Sequence, residues 1–206
     1  MKKLSLALAA LALLAAPSRA LADAIPYSPI GTPNTDVYSF VAAFDGDIYG
    51  YFLGGDAGYG SVVSMSVNDG AYGGGVFQNH NTAVGAQVLF ASALAGDILR
   101  LKLDVSTDPN GPPPFDFTFF SDPDDNPLGL QHIYATAYTG AIGGCNVLGT
   151  TCTYVGWEDL VALGDRDYND HQFLFKGVTT VPDGGPALAL LGVALTGLGM
   201  LRRRLS

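Results

Sequence analysis

The chain has 206 residues, of which 48% are hydrophobic and only 14% are charged, and its net charge is −9 at pH 7. This length accommodates one domain or two small ones, with a core large enough to fold alone. The acidic balance argues against nucleic acid as a partner, because phosphate binding requires a basic surface, and the 11 Phe and 10 Tyr argue against intrinsic disorder.

The first 22 residues have the three parts of a secretory signal peptide, in the expected order. Lys2 and Lys3 form a positive start, residues 4–16 are an apolar segment, and residues 20–22 form an A-x-A cleavage site. The alternative is a buried N-terminal helix, which does not need that order of parts. We therefore expect an exported mature chain that begins at Asp23.

Alternation of apolar and polar residues dominates the region 23–180. In the segment 98–105, for example, every second residue from Leu99 to Val105 is apolar, and the residues between them are charged. This pattern, with Gly- and Asp-rich turns, predicts one all-β domain: an antiparallel β-sandwich of jelly-roll-like connectivity. A short stalk is expected at residues 179–182. In chain order, strands are predicted at residues 37–44, 48–53, 63–67, 75–78, 86–90, 98–105, 115–119, 130–138, 153–157 and 173–175.

Cys145 and Cys152 are the only cysteines of the chain. In an exported protein, such a pair is typical of a disulfide, here a staple across the base of a hairpin-like loop. The bridge is worth about 2 kcal/mol, because the loop that it closes is short. A zinc site is the alternative, but it needs two further ligands that no C-x-x-C or paired histidine motif supplies.

The residues after the ninth predicted strand carry the most informative chemistry. Asp165, Asp167 and Asn169 occupy positions 1, 3 and 5 of a D-x-D-x-N loop, a spacing that directs alternate side-chain oxygens at a common centre. A hard cation such as Ca²⁺ requires such oxygens. The loop is not an EF-hand, because Asp170 stands where Gly is needed and Lys176 where the bidentate Glu belongs.

Further carboxylates surround this loop in the sequence. Glu158 or Asp159 is expected to supply the missing ligand, because a hairpin would carry both residues back beside the loop, and Asp170 completes the predicted set. Without a cation these carboxylates would repel one another, since Arg166 is the only counter-charge. The alternative is an Asp-rich turn whose carboxylates cap backbone amides. Asp56 lies in an upstream Gly-rich loop, and its substitution is expected to leave cation binding nearly intact.

This region resembles the C-terminal signature of an uncharacterised bacterial exported domain family. That signature is F/W-E-D, a short Gly-containing loop, G-D-x-D-Y/F-N-D and a hydrophobic strand, matched here by residues 157–159, 164–170 and 173–175. The resemblance extends over residues 96–178 and implies a calcium-binding module of surface or matrix proteins, with no enzymatic activity. His171 departs from the pattern, which is expected to loosen the start of its strand.

The C-terminus has three parts in a fixed order: a short motif, an apolar segment at residues 186–201, and an arginine cluster. The apolar segment has the length of a short membrane-spanning helix, and the positive-inside rule places its arginine end in the cytoplasm. An ordinary tail anchor is the alternative, but it leaves the motif unexplained. The motif residues are Val181, Pro182, Asp183, Gly184 and Gly185, and the cluster is Arg202, Arg203 and Arg204.

This layout of residues 181–206 resembles the PEP-CTERM sorting signals of Gram-negative bacteria, in their V-P-D-G-G variant. The resemblance implies that an exosortase-type membrane enzyme recognises and removes the segment. The protein would be held transiently in the inner membrane and then delivered to the cell surface or the extracellular matrix.

These features favour a non-enzymatic exported module stabilised by calcium. A carbohydrate-binding or adhesive module for exopolysaccharide is the alternative, and an exported hydrolase is the third hypothesis, although no G-x-S-x-G, H-E-x-x-H or nucleotide-binding motif is present. A second acidic cluster, residues 122–126, is either another cation site or a solvated loop. The candidate sugar contacts are Tyr49, Tyr51, Tyr59 and Tyr72, although packing in the core and between strands is the favoured interpretation of these residues.

Overall fold

The computed structural model describes residues 25–74, 78–110 and 114–181. The predicted signal peptide at residues 1–22 and the predicted tail helix at residues 186–201 lie outside these ranges. Within the described ranges, none of the helices has the length and apolar character needed to cross a membrane. The described chain consists of ten strands and three short 3-10 turns, and its strands form two antiparallel sheets.

The first sheet contains five strands in the order β10-β1-β5-β3, with β6 beside the second half of β5. Its strands are β1 (Ser39–Ala42), β3 (Gly60–Val67), β5 (Ile98–Ser106), β6 (Phe117–Phe120) and β10 (Val178–Val181). Strand β5 is the longest partner in this sheet: β3 pairs with its whole length, while β1 and β6 share its other edge.

The second sheet contains the other five strands in the order β4-β2-β9-β8-β7. Its strands are β2 (Gly46–Gly54), β4 (Gln87–Ala93), β7 (Ile133–Ala137), β8 (Cys152–Trp157) and β9 (His171–Lys176). Each pair of neighbours along this order is antiparallel. Two of these pairs, β7–β8 and β8–β9, join consecutive strands, whereas β2 pairs with β4 and β9, which are not its neighbours along the chain.

The two sheets enclose one principal hydrophobic core. On β5 the alternation seen in the sequence holds, since Leu99, Leu101 and Leu103 are buried and belong to this core. Large aromatic side chains from the second sheet, among them Trp157 and Phe173, lie in the same cluster. Each such side chain contributes roughly 1.5–3 kcal/mol through burial. The predicted all-β architecture of two antiparallel sheets is confirmed, and the jelly-roll connectivity stays a prediction.

Several predicted element boundaries require correction. The first strand covers only Ser39–Ala42 of the predicted 37–44. Gln78 makes a single bridge to Val62, and the rest of the strand predicted at 75–78 lies outside the described residues. Strand β9 begins at His171, earlier than predicted.

His171 holds the start of β9 firmly, so the predicted loosening is wrong. It pairs with Trp157 of β8, its ring is fully buried, and its Nδ1 lies 2.8 Å from Ser61 Oγ. Burial lowers the pKa of His171 to about 3. The imidazole is therefore neutral at physiological pH and serves as a core residue.

The stalk predicted at residues 179–182 is also wrong over its described part. Residues Val178–Val181 form β10, which pairs with β1 from Ala42↔Val178 to Ser39↔Val181. Val178 is almost fully buried in the core, and its carbonyl accepts a 2.8 Å hydrogen bond from Thr153 Oγ1. The folded domain thus extends to the first residue of the V-P-D-G-G motif.

The predicted disulfide between Cys145 and Cys152 is confirmed. It joins Cys145, in the middle of the connection between the antiparallel strands β7 and β8, to Cys152, the first residue of β8. The closed loop is short, as expected, but the bridge does not cross the base of the hairpin, where Tyr138 N donates to Cys152 O. Both cysteines are buried in a second apolar cluster with Tyr138, Tyr154 and Leu174. The bridge thereby fixes a loop against the outer face of the second sheet.

Candidate functional site

The candidate site is the loop between β8 and β9, residues 158–170. Because Trp157 pairs with His171 across these strands, the two ends of the loop lie side by side. Asp159 N donates a 2.8 Å hydrogen bond to Asp170 Oδ2, and Asp170 N donates to Trp157 O at 3.1 Å. The predicted hairpin therefore does bring Glu158 and Asp159 back beside the D-x-D-x-N segment.

Tyr168 anchors this loop to the domain. Its side chain is almost fully buried, and its hydroxyl donates to Gln131 O at 3.1 Å and accepts from Asn34 N at 2.8 Å. The backbone at Arg166 and at Tyr168 is left-handed, with φ of 62° and 55°. An ordinary side chain adopts this conformation only when its surroundings over-determine it, which the buried Tyr168 contacts do here.

Three carboxylates meet inside the loop. Glu158, Asp165 and Asp167 each place one oxygen so that all three lie within 4.8 Å of one another. Glu158 is fully buried, Asp165 is exposed and Asp167 is half-buried. The cluster therefore has a closed inner side and an open outer side.

The two oxygens of Glu158 differ in their surroundings. Oε1 accepts a 2.8 Å hydrogen bond from Tyr168 N, whereas Oε2 has no donor in good geometry among the described residues. A Cβ at position 164 would lie 3.1 Å from Oε2, so Gly164 lets the loop pass close to this oxygen. A buried, ionised carboxylate oxygen without a hydrogen-bond partner is costly unless the group takes up a proton or a positive ligand occupies its site.

The electrostatics of the cluster reflect this lack of a positive partner. Burial, with smaller contributions from the charges of Asp165 and Asp167, raises the pKa of Glu158 to about 7 against the opposing backbone hydrogen bonds. Burial, and then Asp165, raise the pKa of Asp167. Arg166 does not neutralise the cluster, because its Nη1 donates instead to Gly31 O at 3.2 Å.

The other three predicted ligands take different positions. The Asn169 side-chain amide donates to Asp167, so its Nδ2 faces that carboxylate. Asp159 and Asp170 form a second carboxyl pair, and burial together with their proximity raises the pKa of Asp170, while burial raises that of Asp159. Glu158, Asp165 and Asp167 are thus brought together, while Asp159 and Asp170 line the adjoining cavity.

This cavity has a volume of about 600 Å³. Glu158, Asp165 and the Asp159–Asp170 pair line one side, and Tyr59 and Leu160 line another. Its size falls within the range of small-ligand sites, which is about 300–1,000 Å³. The carboxylates therefore face a space that can admit a ligand.

Asp56 also lines this cavity, which corrects the expectation that it lies apart from the site. Its backbone N–H donates to Asn169 O at 3.1 Å. The neighbouring Gly55 packs so closely that a Cβ there would collide with the Asp170 carbonyl oxygen. The adjacent glycines at positions 54 and 55 were the one sequence signal of this close approach, and the sequence did not indicate which segment packs against them.

The second acidic cluster is an ion-paired loop. Arg100 Nε lies 2.6 Å from Asp69, and Arg100 Nη1 lies 3.0 Å from Asp122 and 3.4 Å from Asp125. Asp122 also accepts from Asp124 N and caps a short 3-10 turn. Because a guanidinium already occupies the centre of these carboxylates, the structure favours the solvated loop over a cation site.

The four candidate tyrosines do not form one surface. Tyr49 and Tyr51 lie on β2 in the second sheet, whereas Tyr72 lies beside Lys102 and Phe120 of the first sheet. Of the four, Tyr59 lines the carboxylate cavity. A single sugar-binding face composed of all four residues is therefore wrong.

Replacing Glu158 by Gln is expected to remove a pH dependence of stability in the absence of divalent cations. Since folding raises the pKa of Glu158 from 4.5 to about 7, its contribution is fully present below the unfolded pKa and is lost as the pH rises through 7. The loss is at most about 3 kcal/mol. In EDTA, the melting temperature of Glu158→Gln minus that of wild type should therefore increase between about pH 5 and about pH 8.

The matched control for this prediction is Asp124→Asn, because Asp124 is an exposed acid outside the site. Its difference from wild type should stay constant over the same pH range. A constant difference for Glu158→Gln as well would show that this carboxyl titrates normally.

Comparison with known protein families matches residues 180–205 to the VPDSG-CTERM motif. The matched residues include V-P-D-G-G, where Gly184 stands in place of the Ser of the motif name. No curated protein and no solved structure matches the chain. A PEP-CTERM-like sorting signal is therefore present and indicates an exported protein, while the resemblance of the body to an uncharacterised family is not supported.

Proposed function

We propose that this protein is a non-enzymatic module of the cell surface or extracellular matrix, stabilised by calcium and processed by an exosortase-type enzyme. Two observations on one residue carry the calcium site: a carboxylate oxygen of the buried Glu158 lies within 4.8 Å of oxygens of Asp165 and Asp167, and Glu158 Oε2 has no hydrogen-bond partner among the described residues. A cation at this point would satisfy the buried oxygen and relieve the mutual repulsion of the three carboxylates.

The donor set favours calcium over other metals. All three groups are carboxylates, which suit hard cations, and neither His nor Cys belongs to the cluster. Calcium tolerates irregular shells of 6–8 oxygens, whereas magnesium requires a near-ideal octahedron and gives up water reluctantly. A loop with one buried and one exposed carboxylate suits the more adaptable ion.

The sorting signal supports the proposed location. A V-P-D-G-G motif with the three-part layout described above is consistent with recognition by an exosortase-type enzyme. In this proposal the predicted signal peptide starts export, the apolar tail holds the chain in the inner membrane, and processing then delivers the domain to the cell surface or matrix.

The exported hydrolase has one supporting observation. Several carboxyl groups with raised pKa values face one cavity, and such clusters are enriched at catalytic sites. Cation sites produce the same raised values when the ion is absent, because the carboxylates then repel one another. The exported hydrolase therefore stays an alternative hypothesis, which cleavage of polysaccharides by the full-length chain would support.

The melting temperature of the full-length chain tests the calcium proposal. A ligand that binds only the folded state stabilises it by RT ln(1 + [L]/Kd), which is about 0.4–1.4 kcal/mol for millimolar calcium at a Kd of about 10⁻⁴–10⁻³ M. The melting temperature of a chain of this size shifts by a few degrees for each kcal/mol. We expect a higher melting temperature in millimolar calcium than in EDTA, and little effect of magnesium. Equal melting temperatures in calcium and EDTA would refute the calcium site.

A further inference from the structure

The carboxylate cavity continues into a second depression of about 550 Å³. The two share Tyr59, Leu160 and Gly164, so together they form one groove. We call it the loop groove. Its acidic end contains the carboxylates. Its other end, which we call the apolar end, is lined by Phe117, Val161 and Ala162 as well as by the shared residues, with Arg166 as its one charged residue.

At the acidic end, a bound cation would have an incomplete shell. Glu158, Asp165 and Asp167 offer fewer oxygens than the 6–8 that calcium takes, even with bidentate contacts from some of them. Glu158 closes the inner side, while Asp165 is exposed and lines the cavity. The remaining coordination positions therefore face the groove, where water or ligand hydroxyl groups can fill them.

At the apolar end, two aromatic side chains lie within reach of the same ligand. Tyr59 and Phe117 are each only partly buried, and Leu160 is 39% exposed. Such surfaces pack against the C–H faces of a sugar ring, and an aromatic hydroxyl or carboxylate nearby accepts hydrogen bonds from sugar hydroxyls. A cation with open coordination positions binds hydroxyl groups, and the apolar side chains beside it contact an apolar surface. The groove therefore matches a ligand that is polyhydroxylated on one side and apolar on the other.

We propose that the loop groove binds a glycan with vicinal hydroxyl groups, two of which complete the calcium shell while a sugar ring packs on Tyr59. This inference rests on the proposed calcium site and names the class of its ligand. It assigns sugar binding to the loop groove and not to a single face composed of the four tyrosines. The glycans of the extracellular matrix are polymers of this chemical class, and the sorting signal indicates that the protein is exported.

The test is binding of the full-length chain to an array of neutral, amino and uronic-acid oligosaccharides, in millimolar calcium and in EDTA. Wild type should bind a subset of these glycans in calcium and lose that binding in EDTA. Tyr59→Ala should weaken binding about tenfold, equivalent to about 1.4 kcal/mol, yet keep the calcium-induced rise in melting temperature. The matched control is Tyr49→Ala on the second sheet, which should retain both properties.

The outcomes separate this inference from the calcium proposal. A calcium-induced rise in melting temperature without binding to any glycan would overturn the glycan inference alone. Glycan binding that persists in EDTA would overturn the bridging role of calcium. Binding of a lysine-rich peptide in EDTA, with no glycan bound in calcium, would show that the acidic end takes cationic side chains directly.

Discussion

Replacing Asp165 or Asp167 by Ala is expected to abolish the rise in melting temperature that calcium produces. Each substitution removes one of three carboxylates that converge within 4.8 Å, leaving a buried Glu158 with a single partner for the cation. In EDTA, Asp165→Ala should melt no lower than wild type, because the loss of a like charge relieves repulsion on Glu158. Asp167→Ala gains the same relief but also loses the hydrogen bonds that Asp167 accepts from Asn169. Differential scanning calorimetry of the full chain in calcium and in EDTA measures both effects.

The control for this pair is Asp124→Ala, an exposed acidic residue of the ion-paired loop. It should keep the full calcium response. Asp56→Ala is not a suitable control, because Asp56 lines the same cavity and its loop packs on the site. Variants at Asp165 and Asp167 that respond to calcium as strongly as wild type would place any bound ion elsewhere.

Ending the chain at two different positions is expected to separate sorting from folding. A chain that ends after Val181 keeps β10 and should fold normally, but it lacks most of the sorting signal and should be exported without retention or processing. A chain that ends after Gly177 loses β10, including the buried Val178 and all four residues paired with β1. Since domains are stable by only about 5–15 kcal/mol, we expect this shorter chain to be largely unfolded.

Fractionation of the native host and melting of the purified chains provide the two measurements. Identical distribution of the full chain and the chain ending after Val181 would refute the role of the tail in sorting. A chain ending after Gly177 that melts like the full chain would show that β10 contributes little to the sandwich.

The sequence predicted those features that depend on local pattern. Alternation along residues 98–105 identified the strand that becomes β5, because burial on one face of a strand has a period of two. The hairpin that returns Asp170 to Asp159 followed from the short distance between their strands along the chain. The disulfide was predictable for the same reason, because Cys145 and Cys152 lie close together along the chain.

Features that depend on pairing between distant segments were not predictable. Tyr59 and Asp56 reach the site because β2 pairs with β9, and sequence periodicity does not reveal which strands are neighbours. Strand β10 was missed because a four-residue strand directly before Pro182 resembles a linker, and only its pairing with β1 identifies it. The position of Asn169 could not be foreseen either, since its amide binds Asp167 within the loop.

Equilibrium titration of the full-length chain with calcium, followed by calorimetry, tests the central claim most directly. Wild type should bind calcium at the Glu158 cluster with a Kd of roughly 10⁻⁴–10⁻³ M, the range of extracellular modules. Glu158→Gln should bind at least about tenfold more weakly, because the buried carboxylate becomes a neutral amide, a change of about 1.4 kcal/mol or more. Absence of calcium binding by wild type, or equal binding by wild type and Glu158→Gln, would contradict a calcium site at this cluster.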